Sequence, residues 1–114
     1  MNFSVIPSEK FKREARRLAK KFPSLKQELT VLNGTLSIKP EAGTSLGNDT
    51  YKIRLAIKSK GKGKSGGARV ITYVISANKE VYLLTIYDKS EFDSLDDKTI
   101  KSIIKTLNIN SPER

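Results

Sequence analysis

The chain contains neither cysteine nor histidine among its 114 residues. Without cysteine it can form no disulfide and no thiolate metal site, which fits a reducing compartment. Without histidine it lacks the commonest metal ligand and the usual general base of enzymes near neutral pH. Any catalysis must therefore use lysine, arginine, tyrosine, aspartate or glutamate, and we expect neither a metal nor a cofactor.

Long apolar runs are also missing from the sequence. No segment approaches the roughly 18 consecutive apolar residues of a membrane helix. The first residues, MNFSVIPSEKFKRE, do not have the long apolar region of a secretory signal. We therefore expect a soluble cytoplasmic protein without a membrane partner. The length predicts a single domain, residues 1–114, and the 37% of hydrophobic residues suffices for one modest core.

Acidic residues are few: 12 Asp and Glu stand against 22 Lys and Arg, which gives a net charge of +10. Such an excess favours nucleic acid, an anionic membrane or an acidic protein as partner, with a merely solubilising surface as the alternative. Residues 50–78 contain no acidic residue at all. A shared anion site is therefore predicted among the basic residues of this stretch, which are Lys52, Arg54, Lys58, Lys60, Lys62, Lys64 and Arg69.

Hydrophobic periodicity predicts two helices near the N-terminus and one near the C-terminus. Ser8 is a candidate N-cap of the first helix, and Pro23 separates it from the second. Either Ser94 or Asp96 can cap the last helix. The predicted apolar positions are Phe11, Ala15, Leu18, Ala19 and Phe22, then Leu25, Leu29, Leu32 and Leu36, and finally Ile100, Ile103, Ile104 and Leu107.

Four strands are predicted around these helices. A short one lies near Phe3 and Val5, and a half-buried one follows from the alternation that begins at Tyr51. Two apolar runs, Arg69–Ser76 and Glu80–Tyr87, read as interior strands joined by a short turn, whereas residues 40–48 read as a loop. The order predicts an α+β fold: a small antiparallel sheet, two N-terminal helices packed on it and a short C-terminal helix. Because strand residues alternate between faces, Lys52 and Arg54 are expected on one face.

The stretch KGKGKSGGARV, residues 60–70, invites comparison with nucleotide-binding loops. A P-loop would need glycine in place of Lys58 and a helix after the loop, but a strand is predicted there. The spacing of Gly61, Gly63 and Gly66 matches a dinucleotide motif but again lacks the helix. We interpret the stretch as a flexible basic hairpin loop that delivers Arg69 to a strand, with a solvated loop without ligand as the alternative.

These residue types suit cleavage of RNA without histidine. Arginine matches phosphate oxygens, and lysine can transfer protons where other cations and desolvation favour its neutral form. Tyr87 is a candidate for stacking on a base or donating a proton, and Glu91 is an alternative base. A buried strand residue and a surface charge are the plain alternatives for these two. The cations that could crowd together are Lys52, Arg54, Lys64, Arg69 and Lys89.

Three stretches carry a family likeness: YKIRLA, residues 51–56; GKSGGARVITY, residues 63–73; and VYLLTIYDKSEFDSL, residues 81–95. With the order of elements, they resemble the RelE/ParE superfamily of bacterial toxins from type II toxin–antitoxin systems, most of all the HigB/RelE-type mRNA interferases. The resemblance implies a RelE-like fold and a metal-independent endoribonuclease that cleaves mRNA in the ribosomal A site and so inhibits translation. It also implies a cognate antitoxin, the ribosome and mRNA as partners.

The resemblance further implies that Lys52, Arg54 and Arg69 handle the phosphate and that Lys89 is the basic residue after the last strand. The chain departs from the pattern at Ser90, where such enzymes often carry arginine, and it has no tyrosine in the last helix. Two alternatives stay open: a ParE-like inhibitor of DNA gyrase, and a non-catalytic basic protein that binds RNA or the ribosome. The basic cluster favours the enzyme over the gyrase inhibitor, and the scarcity of aromatic residues disfavours the plain RNA-binding module.

Overall fold

Three helices and five strands form the fold in residues 2–61, 66–91 and 94–107, the parts of the chain that the computed structural model describes. The strands are β1 (Ser4–Pro7), β2 (Thr44–Gly47), β3 (Thr50–Leu55), β4 (Ala68–Ile75) and β5 (Glu80–Asp88). The helices are α1 (Glu9–Lys21), α2 (Leu25–Ile38) and α3 (Asp97–Lys105). The predicted α+β class is confirmed. No helix within these ranges is long and apolar enough to cross a membrane.

The five strands form one sheet in the order β1-β5-β4-β3-β2. β4 and β5 are interior strands, as predicted, and all pairs from β5 to β2 are antiparallel. The prediction of a wholly antiparallel sheet is wrong at one edge, because β1 pairs parallel to β5. The loop prediction for residues 40–48 is also wrong in part. β2 forms there because Asn48 and Asp49 adopt positive φ angles of 53° and 61°, the turn conformation that joins paired strands.

The two N-terminal helices cover one face of the sheet. Ser8 caps α1, because its hydroxyl oxygen accepts a hydrogen bond from the Phe11 N–H at 3.0 Å. Leu18, Leu25 and Leu36 are fully buried against the sheet. Burial of such side chains stabilises the fold by about 1.5–3 kcal/mol each. The buried residues of this core are Phe11, Leu18, Phe22, Leu25, Leu32, Leu36, Ile53, Ile57, Ala68, Val70, Val74, Val81, Leu83 and Ile86.

α1 also covers the part of β5 that extends beyond the end of β1. The Ser8 N–H and hydroxyl donate to the carbonyl oxygens of Leu83 and Leu84 at 3.0 and 2.9 Å. Further along the helix, the Glu14 carboxylate accepts from the Ile86 N–H at 3.2 Å and the Thr85 hydroxyl at 2.6 Å. The helix thereby satisfies backbone groups that a neighbouring strand would otherwise bind.

The opposite face of the sheet is covered by α3. Asp96, one of the two predicted caps, accepts a hydrogen bond from the Thr99 N–H at 2.9 Å, while Ser94 makes no cap. The buried members of this second core are Ile71, Tyr82, Leu84, Tyr87, Ile100 and Ile103. Ile104 and Leu107, also predicted to be apolar contacts, pack against it while partly exposed.

Candidate functional site

Strand register brings three predicted site residues into one row across the sheet. Arg54 of β3 is paired with Arg69 of β4, which is paired with Tyr87 of β5. Side chains of directly paired antiparallel residues lie about 4.5–5.5 Å apart at their Cβ atoms. We call these three residues the cationic row. Lys52 precedes Arg54 by two residues and therefore lies on the same face, as predicted.

The cationic row lies on the α3 face of the sheet. Its chain neighbours Ile53, Val70 and Ile86 belong to the core under α1 and α2, so the row itself points to the other side. Along β3, Arg54 is four residues from Thr50, whose partner Tyr73 packs against the α3 core. Four strand residues span about 13 Å, so the row lies well away from that end of the sheet.

A β-bulge decides that Tyr87 joins the row. The pairing of β4 with β5 shifts between Ile71 and Thr72, and Leu84 becomes the extra residue of β5. Tyr82, Leu84 and Tyr87 consequently all lie in the α3 core, although strict alternation would place Tyr87 on the opposite side from Leu84. Without the bulge, Tyr87 would point toward α1 and would not meet Arg69.

Exposure falls along the row from β3 to β5. Arg54 is exposed and Lys52 is half-buried, whereas Arg69 and Tyr87 retain only 4% and 3% of their accessible surface. The Arg69 guanidinium donates through Nη1 to the Ala68 carbonyl oxygen at 3.1 Å. An anion that approaches this face therefore meets Arg54 and Lys52 first, with the Arg69 charge behind them.

The phenol of Tyr87 is protonated at neutral pH. Burial raises the pKa of Tyr87, and the neighbouring Arg69 charge lowers it by less. A neutral phenol can donate a hydrogen bond or a proton, while only the phenolate could act as a base. A neutral phenol is what the predicted donor role of Tyr87 requires, and that role stays a prediction.

Gly67 holds the backbone in place just before Arg69, and the sequence reasoning gave it no specific role. A Cβ atom at this position would overlap the carbonyl oxygen of Leu55, the last residue of β3. The Gly67 carbonyl oxygen accepts a hydrogen bond from the Lys89 N–H at 3.0 Å. The close approach of the strand ends thus needs a residue without a side chain. The GGAR run was the signal for this role, since it places paired glycines directly before a strand.

Lys60, one of the basic residues predicted to form a shared anion site and so to attract RNA, is engaged in an ion pair. Its ammonium forms an ion pair with the Asp88 carboxylate, and its side chain is only 11% exposed. An ammonium neutralised in this way contributes less to long-range attraction of phosphate than an exposed one, and an RNA-binding role for Lys60 stays a prediction. Lys58 is exposed, and its backbone N–H donates to the Glu28 carboxylate at 2.7 Å. Lys62 and Lys64 lie outside the described residues.

The two predicted residues after β5 differ in their surroundings. Lys89 is half-buried and lies two residues after Tyr87, and its backbone N–H donates to the Gly67 carbonyl oxygen. Glu91 forms an ion pair with Arg17 of α1 at 3.1 Å, and α1 packs on the opposite face of the sheet. This ion pair directs the Glu91 carboxylate toward α1, and its predicted role as an alternative base stays a prediction. Within the described ranges, no group of three or more acidic residues is arranged to hold a metal ion.

Known structures match this architecture across nearly the whole chain. No protein-family model matches the sequence. A double arginine-to-alanine variant of the E. coli toxin RelE, in the free state, is 21% identical with a TM-score of 0.62. That match covers 92% of this chain and 97% of the other. The fold is that of RelE. The isolated E. coli RelE toxin is 19% identical with a TM-score of 0.49, and covers 94% of this chain and 100% of that one.

Within the RelE fold, the cationic row lies across the three strands β3, β4 and β5. The predicted RelE-like fold is confirmed. The structure brings together Lys52, Arg54, Arg69 and Tyr87 on one face, places the backbone of Lys89 against Gly67, and pairs Lys60 with Asp88.

Proposed function

We propose that the chain is the toxin of a type II toxin–antitoxin system and a HigB/RelE-type mRNA interferase. In this proposal it cleaves mRNA in the A site of the ribosome, inhibits translation in the cytoplasm and is neutralised by a cognate antitoxin. The observation that carries the proposal is the cationic row on a RelE fold. It combines two guanidinium groups, a neighbouring lysine and a neutral phenol on one face.

Each group has a role in this reaction. Arg54 binds the phosphates of the RNA strand from the exposed side of the row. Arg69 stabilises the negative charge that develops on the phosphate in the transition state, where a buried guanidinium acts in a low dielectric. Lys52 accepts the proton of the attacking 2′-hydroxyl, and the Tyr87 phenol donates a proton to the leaving 5′-oxygen. Lys89 adds positive charge at the end of β5.

The test expresses the chain without any antitoxin and follows growth and the integrity of translated mRNA. We expect growth arrest, with cleavage sites that map to mRNA positions in ribosomal A sites. Arg69→Ala and Arg54→Ala should each lower the cleavage rate of the purified protein on programmed ribosomes by about 100–1,000-fold. Tyr87→Phe should do so by about 100-fold or more, the contribution of a single acid.

Arg16→Ala is the matched control, since it removes one exposed arginine from α1, away from the row. The cleavage rate of this variant should stay within a few-fold of the wild-type rate. Circular dichroism and urea unfolding must show that the row variants are folded. If Arg69→Ala does not fold, Arg69→Lys replaces it in the cleavage assay. Inhibition of gyrase supercoiling with intact mRNA would establish the ParE-like alternative. Binding to ribosomes without cleavage would establish the non-catalytic one.

A further inference from the structure

A buried ion pair lies directly behind the cationic row. The Asp88 carboxylate is 1% exposed and contacts the ammonium of Lys60. The same carboxylate oxygen accepts from the Ser90 N–H at 3.0 Å and the Ser90 hydroxyl at 2.9 Å. The Lys60 ammonium also lies 5.7 Å from the ring centroid of Phe22, at the end of α1. One lysine thus connects the β3–β4 loop with a strand end and a helix end.

This pair holds one end of the glycine-rich segment, and a second contact holds the other end. Lys60 precedes the segment and binds Asp88, while Gly67 ends it and accepts from the N–H of Lys89. Both ends of a loop with four glycines are therefore attached to consecutive residues of the β5 end. The two contacts therefore attach the described residues on either side of residues 62–65 to the end of β5.

The position of the pair relative to the row is set by register. Asp88 follows Tyr87 and is paired with Ala68, which precedes Arg69. The loop contacts the helices as well, because the Ser59 N–H donates to the Ser24 hydroxyl at 2.9 Å. A buried ion pair contributes little net stability, since desolvation of both charges offsets their attraction. We therefore expect this ion pair to matter more for the position of the loop relative to β5 than for the free energy of unfolding.

We propose that the Lys60–Asp88 ion pair is a tether that holds the β3–β4 loop on the end of β5 and thereby positions Arg69 and Tyr87 for the reaction. The two residues are positioning residues, because neither belongs to the face that would meet RNA. The effect of the tether on cleavage rests on the proposed function. Its effect on the loop does not.

The test compares Asp88→Asn, Lys60→Met and the double variant with the wild-type chain. Each single variant leaves one buried charge without its partner and should lower the urea midpoint. The double variant removes both charges and keeps an amide oxygen for Ser90, so its midpoint should recover most of the loss. In all three, hydrogen exchange of the Lys60 and Gly61 amides should be at least tenfold faster, because their bonds to Ile57 and Lys58 open more readily.

Cleavage separates positioning from stability. A displacement of the row by about 1 Å costs roughly 100-fold in rate, so kcat should fall 10- to 100-fold in the double variant even though its stability has recovered. KM should change by much less, since Arg54, which binds the RNA phosphates, is untouched. Lys12→Met is the control, because it removes the exposed ion pair with Glu9 at 3.1 Å and should change neither exchange nor cleavage.

The proposal is wrong if the double variant recovers its stability, keeps slow exchange and retains full kcat. The ion pair would then have a structural role only. Wild-type exchange in the single variants would overturn the proposal as well. If the wild-type protein does not cleave RNA, the proposed function fails, but the exchange measurements still decide whether the tether exists.

Discussion

Replacement of Gly67 by alanine tests the close approach of the strand ends at the candidate site. Gly67 is not among the described glycines with positive φ, so alanine is allowed there by its backbone angles and the cost is steric. The added Cβ would overlap the Leu55 carbonyl oxygen, and would lie 3.1 Å from the carbonyl carbon and 3.2 Å from the Ala56 Cα. These are backbone atoms, so β3 and β4 must move apart. Overpacking of this kind destabilises by about 1–3 kcal/mol.

Gly34→Ala is a matched control for which the opposite change in the free energy of unfolding is expected. Gly34 lies within α2 and its Cβ would meet nothing within 4 Å. Alanine in a helix interior is more favourable than glycine by about 0.5–1 kcal/mol. The same chemical change should therefore stabilise the chain at Gly34 and destabilise it at Gly67.

Urea unfolding followed by circular dichroism measures both changes. With a slope of about 2 kcal/mol per molar urea, a loss of about 2 kcal/mol lowers the midpoint by about 1 M, and the gain at Gly34 raises it by about 0.3–0.5 M. Cleavage by Gly67→Ala should also fall, because Arg69 lies two residues further along the moved strand. Equal midpoints for Gly67→Ala and the wild-type chain would refute the steric reasoning.

Three further changes test other contacts. Ser8→Ala removes the cap and the bond to Leu84, and should lower the free energy of unfolding by about 1–2 kcal/mol, whereas the exposed Ser102→Ala should leave it nearly unchanged. Burial and the hydrogen bond to Glu80 raise the pKa of Tyr82 to about 12, so Tyr82→Phe should remove the tyrosine absorbance step near that pH. Burial alone would raise the pKa of Asp88, but Lys60 and Ser90 hold it below its ordinary value. The carboxylate therefore contributes stability above the unfolded pKa of about 3.9, and this contribution disappears as the pH falls through the lower folded pKa. The stability difference between Asp88→Asn and the wild-type chain should accordingly shrink below about pH 4.

Much of the fold could be predicted because it depends on local patterns. The Ser8 cap, the break at Pro23 and the leucine spacing of α2 are short-range signals, and all three are present in the structure. Gly34 lies inside α2 without ending it, since packing of Leu32 and Leu36 outweighs the propensity of one glycine.

Other parts could not be predicted because they depend on residues far apart in sequence. The parallel pairing of β1 with β5 joins Val5 to Val81, and no local pattern in either strand records the direction of its partner. The ion pair of Lys60 could not be predicted for the same reason. A lysine among glycines and lysines is typical of an exposed loop, and only the fold places its ammonium against Asp88.

The sequence by itself determined the composition of the candidate site and half of its arrangement. Lys52 and Arg54 share a face because they are two residues apart in an alternating strand, a matter of backbone geometry alone. The tertiary structure decided the other half. Arg69 meets Arg54 through the β3–β4 register, and Tyr87 reaches that face because Leu84 forms a bulge in β5. A bulge changes which side every later residue faces, and its position is set by pairing between strands, which the order of residues within β5 does not reveal.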